Sequence, residues 1–220
     1  MRRETRCDRL PRQRTKASVK DTWKLKRWYN VISPDAFGKI QIGLTPADSE
    51  EKVIKRTVEI TLFDITGDYS HVNTKLKFQV NSINEDNAYT VFKGHELLRD
   101  YLRSLTRRRS SKIAIILNVT TKDGAKIRVT SAVFTQYRCK TSQKQAIRNI
   151  MRDIIENKGS QLTFDEFVKL AVFSEQEGSL AQEITKAAKK ICNVRKVEII
   201  KQKVVELPKL LQSTQETAAS

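Results

Sequence analysis

At 220 residues the chain has room for one sizeable domain or two small ones. Its 42 lysines and arginines against 25 acids give a formal charge of +17, which calls for a polyanionic partner, either nucleic acid or an anionic membrane. Hydrophobic residues at 39% exclude a chain disordered throughout, and with no apolar run long enough for a bilayer and no lipidation motif at either end, the membrane is set aside.

Residues 1–27 read as a basic arm, with eleven cations opposed only by Glu4, Asp8 and Asp21. The charged start has no apolar stretch behind it, which speaks against a secretory signal, and Glu4, Asp8 and Pro11 break up an amphipathic transit helix. Arg2, Arg3, Arg12, Arg14, Lys24, Lys26 and Arg27 supply either a solvated tail or, preferred here, an arm that orders on RNA. Trp23, Trp28, Tyr29 and Phe37 interleave with cations at the start of the folded part. They are read as a base-stacking surface or as the aromatic lid of a β core, and the second is favoured because aromatics at a strand start pack inward.

Strand signals follow in series. Val58, Ile60 and Leu62 alternate with polar or bulky neighbours, and Leu76, Phe78 and Val80 alternate with Lys75, Lys77 and Gln79. Asn84 to Asn87 is a turn cluster, and Ala88 to Phe92 is a short strand. Residues 94–105 are expected to be a helix, with Leu97, Leu98, Tyr101, Leu102 and Leu105 on one stripe and Arg99, Arg103 and Arg107 on the next. Arg107, Arg108 and Arg109 carry that charge toward Lys112. Ile113 to Leu117 then reads as a buried strand, turned back at Asp123-Gly124 into a hairpin with Lys126 and Arg128 facing outward.

Beyond Phe134 the pattern becomes helical. Ile147, Ile150, Met151, Ile154 and Ile155 form a stripe beside the ladder Lys144, Arg148 and Arg152, with Thr141 or Ser142 as the expected cap and Gly159 as the left-handed stop. Thr163 with Glu166 and Ser179 with Gln182 are capping boxes that open two further helices. Val194 to Val205 returns to a strand. The expected organisation is an α+β fold in four parts: the arm 1–27, a curled antiparallel β-barrel core 28–136 with the inserted helix 94–105, a packed C-terminal helical layer with a closing strand 137–205, and a mobile tail 206–220.

Catalytic constellations are few. No phosphate-cradling glycine loop occurs, and His71 and His95, assigned to a turn and a helix start, have no zinc-ligand spacing and are given a surface role. Cys7, Cys139 and Cys192 are odd in number and far apart, which suits free thiols in a reducing cytoplasm. Pro34-Asp35 followed by Glu50-Glu51-Lys52 has the order of a metal-dependent nuclease signature. In that chemistry the second acid and the lysine must share a strand, whereas here they fall in a polar loop.

Several segments together resemble one family, the archaeal and eukaryotic small-subunit ribosomal proteins called S-one-e, also written S-three-A-e. Val53 to Ile65 is similar to the family signature, with Arg56, Glu59, Leu62 and Asp64 at matching positions; Lys55 departs, since the family favours Gly or His there, and the local turn is expected to differ. Lys26 to Val31, Phe92 to Leu97 with Arg99-Asp100, Thr120 to Gly124 with Val133 to Thr135, and Arg138 to Ser142 with Arg148 extend the likeness over roughly residues 24 to 205. The resemblance implies a barrel with packed helices on the platform of the small subunit, in the cytoplasm. It also implies contact with the 3′ region of the small-subunit rRNA and with neighbouring ribosomal proteins near the mRNA exit, without enzymatic activity, cofactor or metal.

The residues expected to touch rRNA are Arg2, Arg3, Arg12, Arg14, Lys24, Lys26, Arg27, Trp28, Arg107, Arg108, Arg109, Lys112, Arg138, Lys140, Lys144 and Arg148, acting by phosphate neutralisation. The alternatives are a free RNA-binding regulator and, far behind, the nuclease.

Overall fold

The structure is a computed structural model and describes residues 22–173 and 178–208. The first hairpin joins strands β1 (Arg27–Ile32) and β2 (Gln41–Ala47). Strand β3 (Thr57–Thr61) and the single-turn helix α1 (Phe63–Thr66) lead to the long hairpin of β4 (Thr74–Asn84) and β5 (Asn87–Leu97). Helix α2 (Arg99–Leu105) crosses to a second hairpin, β6 (Lys112–Thr120) and β7 (Lys126–Thr135). Helices α3 (Thr141–Gln161), α4 (Phe164–Val172) and α5 (Leu180–Ala188) precede the last strand, β8 (Val194–Glu206).

The sheet is open rather than a closed barrel. Its hydrogen-bonded order is β2-β1-β5-β8-β7-β6, with β4 branching from β5 and β3 from β4, and β2 and β6 end the path unpaired with each other. Nor is it wholly antiparallel, because β1 runs parallel to β5 through Asn30–Asn87, Val31–Ala88 and Ile32–Tyr89. Strand β5 explains the shape. One edge is filled by β4 along its length, while the other is shared, β1 taking its first residues and β8 taking Gly94 to Glu96. The final strand therefore does not close anything. It sits inside the sheet and joins its two halves.

Period-two patterning decides the inner faces. Leu76, Phe78 and Val80 of β4, Ala88 and Phe92 of β5, and Ile127, Val129 and Val133 of β7 are buried. Rings from separate elements meet there, with Phe37 at 5.4 Å from Phe78 and 5.8 Å from Phe92, and Phe92 at 6.5 Å from Phe164 of α4. Strand β6 is only half buried. Ile113, Ile115 and Val119 point into the core against α3, whereas Ile116 is 65% exposed, because an edge strand with one covered face alternates even inside an apolar run.

Three further expectations need correction. Residues 94–98 are not helical: Gly94 to Leu97 belong to β5, and α2 starts at Arg99, so the leucine stripe continues from strand into helix. Gly159 does not stop its helix, which runs on to Gln161. A β-carbon at residue 159 would stand 1.9 Å from Val119 Cγ1, so the glycine lets α3 lie directly on β6. Thr141 is already helical, and the start is held instead by Gln143, whose Oε1 accepts the Lys140 N–H at 3.0 Å.

His95 is the third. It lies in β5, fully buried at the β5–β8 seam, opposite Gln202. Nε2 is 3.1 Å from the Ile199 carbonyl oxygen, which only accepts, so that nitrogen carries the proton. Burial disfavours an imidazolium, and Nδ1, 3.1 Å from the Gln202 amide group, must then accept. Turning that amide so its nitrogen faces the ring lets Nδ1 accept and gives a partner to the buried Gln202 Nε2, which otherwise has none.

The two capping residues behave as read. Glu166 accepts the Thr163 N–H at 3.1 Å, and Ser179 Oγ accepts from Gln182 at 3.4 Å. The hairpin turn adds a tertiary cap. Gly124 takes the left-handed φ of 76°, and Asp123 beside it accepts the Phe164 N–H at 2.7 Å, fastening the β6–β7 tip to the start of α4.

Candidate nucleic-acid interface

The opposite, open end of the β6–β7 hairpin gathers most of the expected cations that the structure describes. Thr135 Oγ1 accepts the Ser111 N–H at 2.9 Å, and the Thr135 N–H reaches the Ser111 carbonyl at 3.0 Å. Ser111 Oγ in turn accepts the Cys139 N–H at 3.2 Å. These bonds lock three segments together: the loop after α2, the head of β6, and the stretch that leads into α3. Arg107, Arg108, Arg109 and Lys112 leave from the first two, and Arg138 and Lys140 from the third, all exposed. Lys144 and Arg148 follow on the first two turns of α3, half buried.

Local geometry splays the arginines. Ser110 Oγ donates to the Arg107 carbonyl at 2.6 Å and closes a tight turn, with Arg109 held at a φ of 62°. A non-glycine residue in the left-handed region is uncommon and costs free energy, so the turn is maintained by its surroundings. Lys112 lies over the Phe134 ring at 5.9 Å.

The electrostatics of this end are one-sided. Among the described residues none of these eight cations makes an ion pair with an acid. One cluster of basic residues elsewhere on the sheet is paired instead: Lys75 and Lys77 bind Glu59 at 3.3 and 2.9 Å, and Lys77 and Lys201 bind Glu96 at 3.4 and 3.2 Å. The start of α3 sharpens the contrast. Its first turn holds no acid, although a helix N-terminus carries partial positive charge and normally attracts one, as α4 does with Asp165 and Glu166. Arg138, Lys140 and Lys144 add their charge to that pole. The arrangement is unfavourable by itself and suits a phosphate.

Arg195 belongs to this end and escapes the sequence reading. It lines a groove with Arg107, Ser110, Thr135 and Gln136, and its guanidinium donates to the Leu105 carbonyl at 3.5 Å. Only the insertion of β8 beside β7 places it there. Its neighbour Lys196 is occupied, bound to Glu198 at 3.0 Å and to the Tyr101 hydroxyl at 2.7 Å, which pins α2 to the sheet.

The N-terminal cations form a separate group. Arg2, Arg3, Arg12 and Arg14 lie outside the described residues. The Lys26 ammonium stands 4.2 Å over the Trp23 ring, and Arg27 and Trp28 are on β1, separated from β7 by β5 and β8 in the sheet order. Of the four aromatics here, Tyr29 and Phe37 are buried as core, while Trp23 and Trp28 are 59% and 56% exposed beside cations.

The nuclease constellation does not assemble. Asp35 faces a groove shared with Phe164 and Asp165, whereas Glu50 and Glu51 border another with Arg27, and Lys52 is bound to Asp48 at 3.0 Å. The signature segment is likewise spent on the fold. Arg56 donates to Thr45 Oγ1 and to the Pro46 carbonyl, tying β3 to β2; Leu62 is buried, and Asp64 accepts from the Thr61 hydroxyl at 2.6 Å.

The described residues thus form an open α+β sheet with one end whose eight expected cations make no ion pair with an acid. Residues 14–208 match the Ribosomal S3Ae family, and the chain belongs to that family. It is 55% identical over 193 residues to small ribosomal subunit protein eS1 of Aeropyrum pernix, covering 88% of this chain and 90% of that one. It is 49% identical over 197 residues to eS1 of Ignicoccus hospitalis (89% and 91% covered), and 49% over 202 residues to eS1 of Saccharolobus solfataricus (92% and 95%).

Proposed function

We propose that this protein is a structural constituent of the small ribosomal subunit, held on rRNA by the cationic end built from the loop after α2, the head of β6 and the start of α3. The observation that carries the reading is the charge segregation just described. Cations near Glu59 and Glu96 are neutralised within the protein, while those around the acid-free start of α3 are left for an external anion. Each phosphate they neutralise releases counterions, which favours binding without any base being read. The sheet and the Ser111–Thr135 bonds fix where the charges stand, a requirement for recognising folded RNA by shape. The exposed Trp23 and Trp28 supply stacking surfaces beside the N-terminal cations. In this reading the site is the platform near the rRNA 3′ region and the mRNA exit, in the cytoplasm, beside other small-subunit proteins.

Sucrose-gradient fractionation of a cell extract at moderate salt tests the proposal. Stoichiometric sedimentation with small subunits is the expected result. Retention in the ribosome-free fraction, bound to one discrete RNA, overturns it in favour of a free regulator. Magnesium-dependent RNA cleavage lost in Asp35→Ala overturns it in favour of an enzyme.

A further inference from the structure

Two of the three cysteines, far apart in the chain, meet in the fold. Strands β7 and β8 pair as far as Thr135 and Val194, and the pairing runs one step further. Gln136 donates its N–H to the Asn193 carbonyl at 3.0 Å, and the Asn193 amide donates to Gln136 Oε1 at 2.6 Å. This lays the stretch before α3 alongside the stretch before β8. Cys139 lies in the first and Cys192 in the second, both partly accessible; the Cys139 thiol turns back to donate to the Tyr137 carbonyl at 3.7 Å, one step past the Gln136–Asn193 pair and opposite Cys192, whose thiol it influences. Cys139 is further held by its own N–H on Ser111 Oγ, and Cys192 packs against the core.

We propose that Cys139 and Cys192 form a reversible disulfide by exchange with a small-molecule disulfide, linking the cationic segment before α3 to the head of β8. The Cys139 thiolate attacks one sulfur of the small disulfide, expelling one small thiol and leaving a mixed disulfide. The Cys192 sulfur then attacks the Cys139 sulfur, giving up its proton and expelling the second small thiol. Two protein thiols are oxidised, and one small disulfide is reduced to two thiols. Exposed Arg138, Lys140, Lys189 and Lys190 around the pair favour an anionic disulfide such as oxidised glutathione. Burial, together with the hydrogen bond and charge of Cys139, pushes the Cys192 thiol up to about 11, so the second step quickens as pH rises.

The test uses the full chain carrying Cys7→Ser, incubated with oxidised glutathione, acid-quenched and mapped by mass spectrometry. The expected product has lost both thiols together, is lighter by about 2 Da and yields one joined peptide pair, reversed by dithiothreitol. Because the cross-link closes a loop of about fifty residues, Tm should rise by about 10 °C, and Cys139→Ser or Cys192→Ser should abolish the rise. A stable glutathione adduct on Cys139 with Cys192 still free overturns the proposal, as do dimers linked between chains. A cross-linked protein whose Tm is unchanged or lower overturns it too, because the sulfurs then meet only by distorting the fold.

Discussion

Lys55 stands at a φ of 68°, between a Val53 carbonyl that accepts from Arg56 and its own N–H on the Val80 carbonyl at 3.0 Å. A side chain in that left-handed conformation is strained and glycine is not, so Lys55→Gly should raise the urea midpoint, a gain of about 0.5–1 kcal/mol. His95 gives the complementary prediction in pH. Burial depresses its pKa against the hydrogen bonds to Ile199 and Gln202, so the folded protein binds a proton less readily than the unfolded chain. Above the ordinary histidine value both states are neutral and nothing is lost. Below about pH 6.5 only the unfolded chain gains the proton, and stability falls toward the folded pKa with a slope of up to about 1.4 kcal/mol per pH unit. His95→Gln should flatten Tm between pH 7 and 5. The carboxylates Glu59 and Glu96, whose pKa values are also lowered, act only below their ordinary range and leave that window clear. Nothing in the sequence around His95 announces its burial. Its partners, Ile199 and Gln202, come from the far end of the chain, and only the register of β5 on β8 brings them in.

Elements with one covered face were legible, and those decided by a distant partner were not. The alternation of β4, the β6–β7 hairpin and the stripes of α3, α4 and α5 follow from local spacing. The strand-to-helix change at Leu97 did not, because the stretch from Gly94 keeps helical leucine spacing while its backbone is claimed by β4 on one side and β8 on the other. Gly94 itself marks the seam. A β-carbon there would stand 2.2 Å from the Gln202 carbonyl oxygen and 3.3 Å from Lys203 Cα, both backbone atoms that cannot rotate away. Since β5 and β8 pair over only three residues, Gly94→Ala should part the two halves of the sheet, at a cost of roughly 3–5 kcal/mol. Urea unfolding should show the loss, and hydrogen exchange should place it in residues 201–203. Gly43→Ala, with nothing within 4 Å of its β-carbon, is the control and should stay within about 0.5 kcal/mol.

At the scale of the molecule the total charge was plain in the composition, but its partition was not, because counting cations cannot tell a lysine bound to Glu59 from an arginine in solvent. The cationic ladder on α3 and the arginine run were visible as sequence, and their convergence required the Ser111–Thr135 bonds and the placement of β8 that adds Arg195. If the partition governs binding, then cations of equal formal charge are unequal in effect. Replacing Arg107, Arg108 and Arg109 together by glutamine should reduce the slope of log affinity for rRNA against log salt by about two to three. The matched replacement of Lys75, Lys77 and Lys201, already paired inside the protein, should change that slope by less than about one and cost only the small worth of surface ion pairs. Filter binding across a salt series measures both. Equal losses from the two triple variants mean that RNA responds to net charge alone, and the assignment of the interface to the open end of the hairpin falls with that result.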